Sequence, residues 1–355
     1  MSATLVTGGC GFIGRYLVSA LRACGHHVRV LDLACPSDLP PDIEFLHGSI
    51  LDGARLRQAM DGIGCVFHLA GAAHFWMPRR EDFGVINGRG TQAVLQAAAD
   101  MKVGRVVHCS TEAILLPKHS IRRRPIDENV LPPLRDMAGP YTRSKHEAEQ
   151  AALEAVRNGQ DVVIVSPAVP IGADDRNMTP PTAMLSLFLA GRLPFFLDCE
   201  LNLVDVRDVA TGIILAAERG RTGERYVLGG ENIRLRALLH LLEDASGHRM
   251  PRHSIPRPVA FMTAALAEWL ADHVTGRRPP ATREGVRVAC RSALLDCCKA
   301  RLELGYAPVP IRGALLEAVD WLCTMMRVHD HAPATDRPRG IGPSARNRIT
   351  DQRSS

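Results

Sequence analysis

The sequence predicts an α/β fold: a doubly wound parallel sheet followed by a smaller, mostly helical C-terminal lobe. Three observations predict it. Strand-like and helix-like segments alternate from the first residues. The strand-like segments are continuous apolar runs, as expected of strands covered on both faces. A glycine-rich turn joins the first strand to the first helix. Repeated strand–helix–strand units with right-handed crossovers wind into such a sheet.

ATLVTGG (3–9) is the first strand, and the amphipathic FIGRYLVSALRACG (12–25) is its helix. HVRVLDL (27–33) and IEFLHGS (43–49) are strands, and DGARLRQAMDG (52–62) is a helix. CVFHLAG (65–71) is a strand, followed across a loop by the helical NGRGTQAVLQAAADM (87–101). RVVHCST (105–111) and DVVIVSP (161–167) are strands on either side of a helix that starts in GPYTRSKHEAEQ (139–150). Beyond about residue 168 prolines cluster and the alternation breaks. The expected division is a sheet domain over 1–170, which the strand LNLVDV and its helix rejoin over 201–220. A lobe follows over 171–200 and 221–328, then a disordered polar tail over 329–355.

The chain has 355 residues, 46% apolar and 23% charged, a globular profile with length for a sizeable core. Its net charge of +5 collects in IRRRP (121–125), TGRRP (275–279) and the tail, without interleaved aromatics. That pattern speaks against a nucleic-acid partner. The ten scattered cysteines form no CxxC ladder, and the fourteen histidines show no HExxH spacing, so no metal site is expected. The thiols read as reduced, mostly buried and cytoplasmic. The chain enters its first strand at once and holds no uncharged apolar run of about 20 residues, so neither a signal peptide nor a spanning helix is expected. VAFMTAALAEWLADHVTG (259–276) is strongly apolar, interrupted by Glu268, Asp272 and His273. A packed helix is the plain reading, and association with a membrane surface the sharper one.

VTGGCGFIG places Gly8, Gly11 and Gly14 at GxxGxxG spacing between a strand and a helix. Glycines let the backbone approach a pyrophosphate, and a helix N-terminus offers amides and a positive dipole end. The fold is therefore expected to be a Rossmann domain. Asp32 ends the second strand. An acid there hydrogen-bonds the adenosine ribose and repels a 2′-phosphate, which favours NAD; Arg15 and Arg29 nearby leave NADP open. Tyr141 and Lys145 lie four residues apart on one helical face. Alone, such a pair is a surface contact worth about 0.2–0.5 kcal/mol.

These segments resemble the extended short-chain dehydrogenase/reductase (NAD-dependent epimerase/dehydratase) family over about residues 3–325. TGGCGFIG, VFHLAG, NGRGT, VVHCST, YTRSK, SPAVPIG and LVDVRDVA carry the resemblance. The chain is most similar to the dihydroflavonol-reductase-like branch. Residues 180–210 and 223–239 look most like the hopanoid-associated sugar epimerase/reductase group. The resemblance implies a triad: Thr111 holding the reacting oxygen, Tyr141 as general acid/base, and Lys145 on the nicotinamide ribose, lowering the tyrosine pKa. It implies that Gly8, Gly11 and Gly14, with Phe12 and Ile13, wrap the pyrophosphate. Ile50 and Ala70 would line the adenine and ribose pocket, and Pro167 would sit near the nicotinamide. It also implies a homodimer through the helices that start near Asn87 and Tyr141.

Departures qualify the resemblance. Gly48-Ser49-Ile50 replaces the usual Gly-Asp-hydrophobic, which leaves the adenine amine to Ser49. Ser166 replaces an arginine before Pro167, against the commonest nucleotide-sugar pocket, and VDVRD brings Asp205 and Arg207 near the lobe. Dehydratases carry Asp-Glu after the threonine; here Glu112-Ala113 follows, so Glu112 reads as a solvated or hydrogen-bonded loop acid. His146, Glu147 and Glu149 read as helix surface.

A tyrosine of ordinary pKa, about 10, needs roughly 4 kcal/mol of charge stabilisation to reach 7. The expected activity is hydride transfer between NAD(P) and a secondary alcohol or ketone of a sugar-like or isoprenoid, hopanoid- or sterol-like, small molecule. The alternatives are a nucleotide-sugar epimerase with tightly bound NAD, a 3β-hydroxysteroid or 4-carboxysterol dehydrogenase, and a non-catalytic dinucleotide sensor.

Overall fold

The computed structural model describes residues 3–331 except 37, 119–124 and 292, with side chains described through 327. Most of the basic cluster at 121–125, and the tail from 332, lie outside the described residues. The chain runs β1 (Ala3–Thr7), α1 (Phe12–Ala23), β2 (Val28–Asp32), β3 (Glu44–His47), α2 (Gly53–Met60), β4 (Ile63–His68), α3 (Gly90–Asp100), β5 (Arg105–Cys109), α4 (Pro140–Arg157) and β6 (Val162–Pro167). It continues with β7 (Val169–Ile171), α5 (Pro180–Leu189), β8 (Glu200–Asp205), α6 (Val206–Arg219), β9 (Arg225–Leu228) and β10 (Glu231–Arg234). Four helices close it: α7 (Leu235–Ser246), α8 (Arg257–Leu270), α9 (Arg283–Arg291) and α10 (Arg312–His331).

Seven strands form one sheet in the order β3-β2-β1-β4-β5-β6-β9, every pair parallel. Adjacent residues of one strand serve opposite faces. Val6 packs with Leu17, Leu21, Val209 and Ile213 of α1 and α6. Leu5 packs with Leu56, Val94, Leu95 and Ala152 of α2, α3 and α4. Burial on both faces is why these strands read as unbroken apolar runs. A third core, from α5, α7, α10 and β8, holds the lobe.

The seventh strand departs from the sequence reading. LNLVDV does not rejoin the main sheet: β8 lies in a separate three-stranded sheet, parallel to β7 and antiparallel to β10. Its helix α6 packs back on the main sheet, joined there by Val204 of β8. The strand that closes the sheet is β9, paired with β6 from Ile164↔Arg225 to Pro167↔Leu228, in a stretch read as part of the lobe. An apolar run reports burial on both faces and not which sheet supplies the neighbours, so sequence could not choose between them. The last helix also reaches His331, three residues into the expected tail.

The described cysteines are all unbonded, but only Cys109 and Cys297 are buried, and Cys24, Cys35 and Cys298 are exposed. Among the described residues no helix is long and apolar enough to cross a membrane, and no three His, Cys, Asp or Glu side chains gather as a metal site.

Candidate functional site

Strand order reverses between β1 and β4, and a crevice outside the strand C-termini at such a point is where α/β sheets bind ligands. The glycine turn fills that position. Gly8 has φ +73°, and a Cβ on it would meet the Ala70 backbone at 2.6 Å. A Cβ on Gly14 would come within 2.2 Å of the Gly8 carbonyl oxygen. Gly11 caps α1 without a side chain, so the first amides of α1 keep their donors for an anion. The bare backbone cradle and the uncapped helix fit the pyrophosphate of a dinucleotide.

Asp32 accepts from Cys10 N at 2.9 Å and from Leu33 N at 2.7 Å, so it braces the glycine turn from the end of β2. Arg15 is held by Asp38 at 2.8 Å and Asp174 at 2.7 Å, and Arg29 by Glu44 at 2.7 Å. Both cations are already satisfied by carboxylates, which lowers their value to a 2′-phosphate. Ser49 spends its hydroxyl on Leu51 N at 3.1 Å, and Ile50 is buried against Gly90. The Phe12 ring turns to Tyr16 and Gly172, Ile13 packs on the core, and Pro167 ends β6 beside Leu228.

At the end of β5 the structure gathers Thr111, Tyr141 and Lys145. Lys145 Nζ donates to the Cys109 carbonyl at 2.6 Å, two residues before Thr111. A hydrogen bond with Thr111 favours the Tyr141 phenolate, but burial outweighs it and holds the tyrosine above its ordinary pKa. Burial also lowers the Lys145 pKa. Among the chain's own groups, burial therefore leaves Tyr141 with its proton. The rings of Phe75 and Phe83 stand edge-on to Tyr141 at 5.4 and 6.2 Å; half-buried Phe75 gives the site an apolar wall, and fully buried Phe83 backs the tyrosine.

Of its two readings Glu112 is the hydrogen-bonded loop acid: half-buried, it accepts from Thr111 Oγ1 at 3.1 Å. Burial pushes its carboxyl up to about 7 against the pull of that hydrogen bond. A carboxyl that changes charge near neutrality therefore sits beside the triad. His68 and His108 on the neighbouring strands are buried and held neutral, His68 down to about 3, by desolvation and by Lys145.

Three residues that hold α4 were missed. Glu149 is fully buried, accepts from Ser110 Oγ at 2.5 Å and pairs with Arg225 of β9. It was misread as surface, though it lies on the Tyr141–Lys145 face at the next i+4 step, a signal available in the sequence. His146 is buried as well, whereas Glu147 is exposed. Asn87 donates to Ser144 Oγ at 2.8 Å and accepts from Ala72 N at 2.7 Å, tying α4 to the loop after β4. Glu284 of α9 caps α4: it accepts from Tyr141 N at 3.1 Å, Thr142 N at 2.8 Å and Thr142 Oγ1 at 2.9 Å. Gly139, the backbone cap, leaves the room, since a Cβ there would meet Glu284 Cδ at 2.5 Å. No local sequence signal marks a cap 143 residues away.

Asp205 and Arg207 are structural. Asp205 caps α6 through Arg207 N at 2.8 Å, and Arg207 bridges it to Glu317 of α10. Ser166 is fully buried, and its hydroxyl has no hydrogen-bond partner among the described residues.

Residues 4–229 match the NAD dependent epimerase/dehydratase family. The chain is 37% identical to a Synechocystis protein provisionally named dihydroflavonol 4-reductase, over 89% of this chain and 93% of that one. It is 36% identical to a Stigmatella aurantiaca ketoreductase acting on a farnesyl-dihydroquinoline oxide (86% and 91% covered). It is 32% identical to sterol demethylase protein B of Methylococcus capsulatus (90% and 97% covered). Among solved structures, the dTDP-glucose 4,6-dehydratase DesIV of Streptomyces venezuelae, with NAD bound, superposes with a TM-score of 0.72 at 28% identity, over 91% of this chain and 98% of that one.

Proposed function

The chain belongs to the NAD dependent epimerase/dehydratase family, among the extended short-chain dehydrogenases/reductases of the dihydroflavonol-reductase-like branch, and we propose that it interconverts a secondary alcohol and a ketone on an apolar, isoprenoid- or sterol-like molecule. The observation that carries this reading is the aromatic wall: half-buried Phe75, with Phe83 buried behind, packs on the Tyr141 ring, where a sugar would need polar partners. Ser166, in place of an arginine before Pro167, points the same way. The names of the sterol and farnesyl-quinoline relatives agree with it.

Gly8, Gly11, Gly14 and the first amides of α1 would hold the pyrophosphate, and Asp32 the adenosine ribose. NAD, when bound, supplies the two-electron hydride chemistry. The chain's own groups handle the oxygen. Thr111 positions it, Tyr141 delivers its retained proton to a ketone oxygen, and Lys145, lodged on the Cys109 carbonyl, brings a cation to the same strand end. The apolar wall excludes water from that proton.

We also infer a homodimer through α3 and α4, whose outer faces form an open groove lined by Gln92, Gln96, Glu147, Gln150 and Ala151. Sedimentation at micromolar concentration tests it; a monomer there sinks it.

The function is tested by NADH oxidation with steroid and prenylated ketones against UDP-sugars. Tyr141→Phe should cut kcat by about 10³-fold with NAD binding intact. Wild-type turnover in the variant sinks the acid/base role. Conversion of UDP-sugars alone, with NAD retained through every cycle, replaces the lipid reading by epimerisation.

A further inference from the structure

Helix α8 is packed inside out. Its buried residues are Ala260, Ala264, Glu268 and, just past its end, Ala271. Its outward residues are Val259, Met262, Leu266, Trp269 and Leu270, with Val274 beyond, between 40% and 70% exposed. They recur at steps of three or four residues, with Leu270 beside Trp269, so they line a single stripe. The acid in the last turn of the helix turns inward instead, where Glu268 takes Arg283 N at 3.0 Å and Arg283 Nε at 2.5 Å. A contiguous apolar stripe left facing water marks an interaction surface.

We propose that the outer face of α8 docks on an anionic lipid bilayer and holds the mouth of the Tyr141 site at the headgroup layer. Two observations choose this occupant. The stripe is bracketed by cations: Arg257 opens α8 and Arg277 follows it, both exposed and without a carboxylate partner among the described residues. Arginines around an apolar face are drawn to anionic lipid, while the face itself enters the acyl boundary. The stripe is also fastened to the site. Asp272, just beyond α8, accepts from Trp76 Nε1 at 2.9 Å and pairs with Arg80 at 3.0 Å. Phe75, beside Trp76, stands on the Tyr141 ring. A docked α8 thus lays the aromatic wall next to the lipid. The docking stands on the surface alone, whereas its use in delivering an apolar ketone rests on the function proposed above.

The test uses the full chain with vesicles of phosphatidylcholine alone and with about 30% phosphatidylglycerol. Trp269 is half exposed and is one of three tryptophans, so it serves as the reporter. Co-sedimentation with the anionic vesicles is expected, with a blue shift of the emission and quenching by brominated lipid. Binding should weaken at least about tenfold on neutral vesicles, from loss of the charge attraction. The double variant Met262→Ser/Leu266→Ser should lose at least about tenfold on anionic vesicles while keeping its Tm, and Trp269→Phe should abolish the shift. Three results overturn the docking: no sedimentation with either vesicle, sedimentation unchanged in the double variant, or a wild-type dimer that the double variant turns into monomer without any vesicle binding. No substrate enters the assay. Vesicle binding by an enzyme that turns over only sugars supports the docking while sinking the lipid-substrate reading.

Discussion

Helices α4 and α8 both break the rule that apolar residues face inward, and they do so in opposite senses. α4 buries Thr142, Ser144 and Glu149 and gives each a partner, in Glu284, Asn87 and Arg225. α8 turns Met262, Leu266 and Trp269 outward and buries Glu268. The two meet at α9, where Arg283 holds Glu268 and the next residue, Glu284, caps α4. A buried polar group with its partners fixes a position inside the chain. An uncovered apolar stripe is shaped for something outside it.

The comparison breaks most sharply at Glu149. Glu149→Ala leaves the Arg225 guanidinium buried without its carboxylate, and the cost is expected at about 3–5 kcal/mol. Urea unfolding measures it. A loss below about 1 kcal/mol would mean that polar burial does not hold α4. A smaller effect is expected at the cap. Glu284→Gln keeps the shape but removes the charge from the start of α4, for about 1 kcal/mol of stability and roughly a tenfold fall in kcat, with KM for NADH unchanged. Gly139→Ala should reproduce it, since its Cβ would sit on Glu284. Normal kcat in both variants would show that Tyr141 needs nothing from the lobe.

What could be read from the sequence divides along the same line. The strands of the main sheet up to β6 were legible because burial on both faces leaves unbroken apolar runs, and Gly8, Gly11 and Gly14 because turn geometry demands glycine at local spacing. The strand β9 was not, since pairing is settled by distant backbone. Thr111, Tyr141 and Lys145 were found through a motif. Their support was not: Asn87 is 57 residues from Ser144, and Glu284 is 143 from Tyr141. Hydrophobic spacing announced α8 as a helix, but spacing cannot say whether its apolar side meets protein or water. The direction of the Tyr141 shift in the chain alone was not legible either, because it depends on how completely the fold excludes water.

The smallest effect belongs to α8, and there a null result carries the weight. Leu238 of α7 is fully buried, while Met262 of α8 is 70% exposed. Leu238→Ala should cost about 2–5 kcal/mol, because the removed methyls leave a cavity. Met262→Ser should stay within about 0.5 kcal/mol, because its side chain already lies in water and folding buries little of it. A loss above about 1 kcal/mol at Met262 would mean that another part of the chain, or a second copy, covers the stripe in solution, and α8 would then be an ordinary core helix. An unchanged Tm keeps the asymmetry: removing polarity from α4 breaks the fold, while adding polarity to α8 costs the fold nothing and touches only what the helix meets outside.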